Sequence, residues 1–149
     1  MFSWLAKRLL DRGYSRLNAG DPSLLLALDA NDVHFRFPGE SSWTADIHDK
    51  EQLERWLRRM ISTGLQHQPE QVVVQGPPWS MTICLRGSDR LTDAQGETVY
   101  SNRYVIWGRM AWGKLREYEV YADTQRLPAL DDYLAAHASA AAPLAARFP

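Results

Sequence analysis

Residues 97–123 read ETVYSNRYVIWGRMAWGKLREYEVYAD, two aromatic and apolar runs on either side of Trp112-Gly113-Lys114. Side chains of this kind suit a pleated, half-buried surface, and a glycine between two such runs permits a tight reversal. The stretch is predicted to be a long β-hairpin, 98–111 with 114–121, in the middle of the core. The rest of the chain is read as material that packs around it.

Ahead of the hairpin, helical and strand periodicities alternate. Phe2, Leu5, Leu9, Leu10, Tyr14 and Leu17 recur at three- and four-residue steps, which predicts a helix over 2–18. Gly20 supplies its left-handed end, and Asp21 caps a second helix, 22–30, that begins at Pro22. Asn31-Asp32 turns the chain into a short strand, 33–37, with Val33, Phe35 and Phe37 on one face and His34 and Arg36 on the other. Residues 40–48 are polar and predict a loop. Asp49 caps a third helix, 50–63, that carries Leu53, Trp56, Leu57 and Met60. Strands are predicted over 70–75 and 79–86, a polar connection over 87–96, and a last helix over 127–138. This order, helices first and then a mostly antiparallel sheet, is the α+β pattern. One domain over 1–138 and an Ala/Pro-rich tail over 139–149 are expected.

Bulk composition narrows the functions available. The chain has 149 residues and a formal net charge of -1, so nothing in its overall charge points to nucleic acid. No apolar run is long enough to span a membrane, and charges at Lys7, Arg8, Asp11 and Arg12 break up any secretory signal. A lone cysteine, Cys84, forms no intrachain disulfide and fits a buried small hydrophobe; a cytoplasmic setting is the expectation.

Chemical motifs are sparse. His34, His48, His67 and His137 make no close HxH or HExxH spacing, there is no phosphate-binding loop, and no Gly-x-Ser-x-Gly elbow occurs. No metal and no cofactor are expected. In the hairpin, Arg103, Val105, Trp107 and Arg109 share one face of the first arm. On the second arm Arg116, Tyr118, Val120 and Ala122 share a face, and Glu117, Glu119, Tyr121 and Asp123 the other. Asp123 either caps the closing helix, holds an arginine such as Arg103, or stands as a buried base.

The ordered set Tyr14…Leu17-Asn18-Ala19-Gly20-Asp21, Asp32-Val33-x-Phe35-x-Phe37-Pro38-Gly39, the helix from Asp49, and Gly113-Lys114-Leu115…Tyr121-x-Asp123 resembles the SnoaL-like branch of the nuclear transport factor 2-like superfamily. The resemblance runs over residues 5–135. It implies a cone-shaped half-barrel: a curved, mostly antiparallel sheet with helices packed on its concave side and a deep pocket between. Dimerisation through the sheet is common in such proteins. It does not imply one reaction, because this scaffold hosts isomerases, cyclases, hydrolases, dehydratases and binding modules.

Matched against the steroid isomerases of that superfamily, the place of the base falls on Phe37 and that of the acid on Val105. The epoxide hydrolases' acid falls on Val120. None of these side chains transfers a proton. The pocket wall implied by the resemblance is Phe35, Phe37, Val105, Trp107, Tyr118 and Val120, with Tyr14 beside it. Three functions follow as expectations. The first is binding of a small, largely apolar organic molecule. The second is an isomerase, cyclase or dehydratase that draws acid–base groups from His34, Asp32, Tyr14, Tyr118 and Asp123. The third is a non-catalytic module that pairs through its sheet as a homodimer or heterodimer. Trp43 and His48 are candidates for a lid.

Overall fold

In the computed structural model, which describes residues 2–137, 139, 141 and 142, the hairpin joins β5 (Thr98–Ala111) to β6 (Lys114–Ala122). Ala111 pairs with Lys114, so only Trp112 and Gly113 make the reversal. Both take positive φ, 53° and 74°, the combination whose twist matches that of two antiparallel strands. A side chain at such a φ is unusual. Trp112 is held there by donating its backbone N–H to the Pro78 carbonyl at 2.8 Å, and its ring tilts against Trp79.

The remaining elements are α1 (Phe2–Asn18), α2 (Ser23–Leu28), β1 (Asp29–Phe37), β2 (Ala45–Ile47), α3 (Lys50–Ser62), β3 (Gln66–Gln75), β4 (Met81–Thr92), a short 3-10 turn (Thr124–Arg126) and α4 (Leu127–Ala136). The six strands form one sheet in the order β2-β1-β6-β5-β4-β3, with the hairpin at its centre. Among the described residues only β1 and β6 run parallel; every other neighbouring pair is antiparallel.

The architecture is α+β, but the cone-shaped half-barrel is not formed. The sheet is open and not strongly curled, with β2 and β3 as unpaired edges. The edge strand β2 has three residues and bonds to β1 alone, so no strand carries the sheet round to β3. The inner face is covered by helices instead. Leu53, Trp56 and Leu57 of α3 and Leu130 and Leu134 of α4 pack with Val33, Phe35 and Phe37 of β1. Tyr14 and Leu17 of α1 pack with Val72 of β3, Ile83 and Leu85 of β4 and Tyr104 of β5.

Several predicted boundaries move, among them the strand expected from 70, which begins at Gln66, and the one expected from 79, which begins at Met81. The second helix stops at Leu28, and Asp29 and Ala30 open β1 instead. Both are buried, because β1 starts beside Leu115 of β6 rather than in solvent. The predicted loop 40–48 contains β2. The predicted connection 87–96 is mostly strand, since β4 runs to Thr92 and pairs with β5 along that length. Of the predicted tail, 140 and 143–149 lie outside the described residues. Ala141 is buried against the core, and its carbonyl accepts a hydrogen bond from Arg59 Nε at 3.2 Å.

Candidate functional site

Strand periodicity decides what faces the helices. On β5 the buried side chains are Tyr100, Asn102 and Tyr104, so the odd-numbered residues between them point to the outer face. Val105 and Trp107 are therefore on the wrong face for a pocket wall, at 37% and 38% exposed. The inner positions on either side of Val105 are Tyr104 and Ile106. A period of two moves every side chain across the sheet when the count slips by one.

Between the sheet and the helices lies a cavity of about 190 Å³. Tyr14, Phe35, Phe37, Tyr118 and Val120 line it, together with Leu57, Met60, Ile83, Leu85 and Ile106. Phe35 packs between Trp56 and Tyr118, with ring centroids 4.8 and 5.0 Å away. Trp43 is buried rather than part of a mobile lid. Its Nε1 donates to Asp131 Oδ1 at 2.9 Å, and the Arg59 guanidinium lies 3.8 Å from its ring centroid.

Two carboxyls and one imidazole reach this apolar space, and no motif in the sequence marks any of the three. Asp29, 3% exposed, lies at the start of β1. Burial pushes its carboxyl up to about 7, against the weaker pull of Lys50 and Lys114. Its charge in turn reaches the Tyr14 and Tyr118 hydroxyls, so the three groups share one region of the cavity. Burial raises Tyr14 to about 12 and Tyr118 well above the usual phenol range.

The second group stands at the mouth. Tyr14, His67, Asp89 and Asn102 line both the apolar cavity and a polar cleft of about 820 Å³ outside it. The His67 backbone is clamped by Asn18 at the end of α1, whose amide both donates to and accepts from it at 2.8 Å. The His67 ring lies 6.3 Å from both Tyr14 and Tyr104, and burial drives it down to about 4, so it is neutral. Asp89 is raised to about 6 by burial, against a hydrogen bond from the Asn102 backbone. Among the described residues its Oδ1 is buried without a hydrogen-bond partner, and the Tyr104 hydroxyl is buried beside that of Tyr14. Asn102 itself is fully engaged: Nδ2 donates to the Tyr100 hydroxyl and the Asp123 carbonyl, and Oδ1 accepts from the Arg103 N–H.

The acid–base candidates read from the sequence separate. Only Tyr14 and Tyr118 face the cavity. The Asp32 side chain is 81% exposed and pairs with Arg116 at 3.2 Å. Asp123 accepts from the Gln125 N–H and caps the 3-10 turn, while Arg103 lies nearest Glu70. His34 is on the outer face, where its Nε2 meets Asp46 Oδ1 at 2.6 Å. Asp29 was hidden because it ends a leucine-rich helical run, and Asp89 and His67 because polar neighbours disguise their strands.

A model of the SnoaL-like domain matches residues 10–118. This chain belongs to the SnoaL-like family. Solved structures with a similar fold include proteins described as NTF2-like. An NTF2-like protein of unknown function from Burkholderia pseudomallei is 18% identical with a TM-score of 0.67, covering 83% of this chain and 95% of that one. TerC, co-crystallised with polyporic acid, is 19% identical with a TM-score of 0.66 over the same shares. An NTF2-like protein from Burkholderia xenovorans is 16% identical with a TM-score of 0.58, over 85% of this chain and 95% of that one. At these identities the likeness is one of fold. No curated protein matches the chain.

Proposed function

We propose that this SnoaL-like protein binds a small, largely apolar organic molecule in the cavity, with the molecule's polar end at Tyr14, His67, Asp89 and Asn102. The carrying observation is an apolar chamber that shares the polar residues Tyr14, His67, Asp89 and Asn102 with an open polar cleft. The buried Asp89 Oδ1, without a hydrogen-bond partner among the described residues, is the group a ligand would satisfy. The volume, about 190 Å³, is below the roughly 300–1,000 Å³ of drug-sized sites, which favours a compact ligand. The Asp89 oxygen accepts, so a head group that carries an N–H or O–H donor is favoured.

Titration calorimetry with small aromatic and alicyclic acids, their neutral amides, and polyporic acid is the test. Binding by the amides is expected, weaker binding by the acids, and none by a Val120→Trp variant whose indole fills the chamber. Equal binding by that variant would exclude the cavity.

A second reading is an acid–base enzyme of the isomerase, cyclase or dehydratase type. The observation that favours it is Asp29, a carboxyl raised to about 7 beside two buried phenols. A carboxylate there removes a proton from a bound carbon acid while a tyrosine hydroxyl stabilises the oxyanion. On this reading Asp29→Asn retains ligand binding and loses turnover. The outer sheet face, where Val73, Trp107 and Tyr121 are exposed, is the surface proposed for a homodimer.

A further inference from the structure

Three side chains that the cavity does not use converge on the opposite face of the sheet. The β1–β2 register pairs Phe35 with Ile47 and Arg36 with Asp46. One step further along, that register sets His34 across from His48, with Asp46 two residues back on the same face. Phe35 and Ile47 are buried, so all three point outward. Asp46 Oδ1 lies 2.6 Å from His34 Nε2 and 3.3 Å from His48 Nε2. The three donor atoms lie within 4.8 Å of one another.

We propose that His34, Asp46 and His48 form a binding site for one divalent transition-metal ion, zinc before others. Two imidazole nitrogens and one carboxylate suit zinc, nickel or cobalt, whereas calcium and magnesium prefer oxygen alone. A metal about 2.0–2.2 Å from each donor spaces the donors roughly 3.0–3.5 Å apart. The His48–Asp46 edge already has that length, and the His34–Asp46 edge opens by less than about 1 Å. The two rings stack at 4.1 Å and 21°, so one must turn for both lone pairs to meet the ion. His48 is free to do so, its side chain being 68% exposed, while His34 at 27% stays as the fixed donor. Solvent completes the coordination. The bound ion would fasten the three-residue edge strand to β1. No sequence motif signals this site, because His34 reaches Asp46 and His48 only through strand pairing.

The full chain is titrated with zinc chloride by calorimetry and with cobalt chloride by visible absorption. One ion per chain and a higher unfolding temperature with zinc are expected. His34→Ala, Asp46→Asn and His48→Gln should each lose the binding and the thermal shift, and His137→Ala should keep both. All four positions are exposed or half-buried, and circular dichroism checks that the variants fold. Absence of zinc binding by the wild-type chain, or binding unchanged in His48→Gln and Asp46→Asn, overturns the proposal.

Discussion

Asp29 occupies a place where a charge is costly: it faces apolar side chains, and among the described residues no side chain hydrogen-bonds its carboxyl. The folded state holds the proton to about pH 7, whereas the ordinary value is 3.8. Stability from this group is therefore complete below pH 3.8 and is lost as pH rises to about 7. Asp89 acts in the same direction up to about pH 6. His67 acts oppositely, its share being present above pH 6.5 and lost as pH falls to about 4. Asp29→Asn isolates the first contribution. At pH 8 the variant is expected to be more stable than wild type by up to roughly 4 kcal/mol, a gap that closes towards pH 4. Urea unfolding at both pH values measures it; a gap independent of pH would mean that the carboxyl titrates normally. Tyr104 gives a companion case. Its buried hydroxyl interacts with the Tyr14 hydroxyl, so Tyr104→Phe should destabilise the ligand-free protein by about 1 kcal/mol in thermal unfolding.

At the scale of elements, Gly87 explains how β4 carries the mouth of the cavity. It pairs with Pro69 on β3 and Tyr104 on β5, next to the register shift between Pro69 and Gln71. A Cβ at Gly87 would stand 2.6 Å from the Tyr104 ring and 2.9 Å from the Gln68 carbonyl. Gly87→Ala should thus cost about 1–3 kcal/mol and shift Tyr104, seen as a lower unfolding temperature with weakened ligand binding. A silent substitution would mean that the strand has slack there. Arg59 plays the corresponding part for the helices: from α3 it bonds Ser42 and Ala141 and covers Trp43. Arg59→Ala should lower stability by roughly 2–3 kcal/mol in urea unfolding, more than a surface arginine change would. These elements differ in how plainly the sequence announces them. The α1 stripe, the Asp49 cap and the hairpin are legible because periodicity and capping are local signals. The short β2, the start of β1 and the length of β4 are not, because pairing partners far along the chain create them.

For the molecule as a whole, the aromatic and leucine pattern announces a covered sheet with a hollow, and Tyr14, Phe35, Phe37, Tyr118 and Val120 reach that hollow. The chemistry within it was illegible for a physical reason. Asp29, His67 and Asp89 acquire their character from burial that no neighbour in sequence supplies, whereas Asp32 and Asp123 look well placed in sequence and end in solvent. The misread face of β5 has a consequence of its own. Val73, Cys84 and Trp107 are successive partners across β3, β4 and β5, and Val105 lies opposite Tyr121. An apolar strip thus crosses the outer face and ends at Glu119, which pairs with Arg36. Strips of this kind on a sheet mark contact surfaces. If two copies meet there, sedimentation velocity will show a dimer that persists on dilution, and Trp107→Glu will shift it to monomer with an unchanged circular dichroism spectrum. The cavity lies on the other face, so ligand binding should survive that change; a wild-type chain that stays monomeric at every concentration removes the dimer and leaves the cavity reading standing.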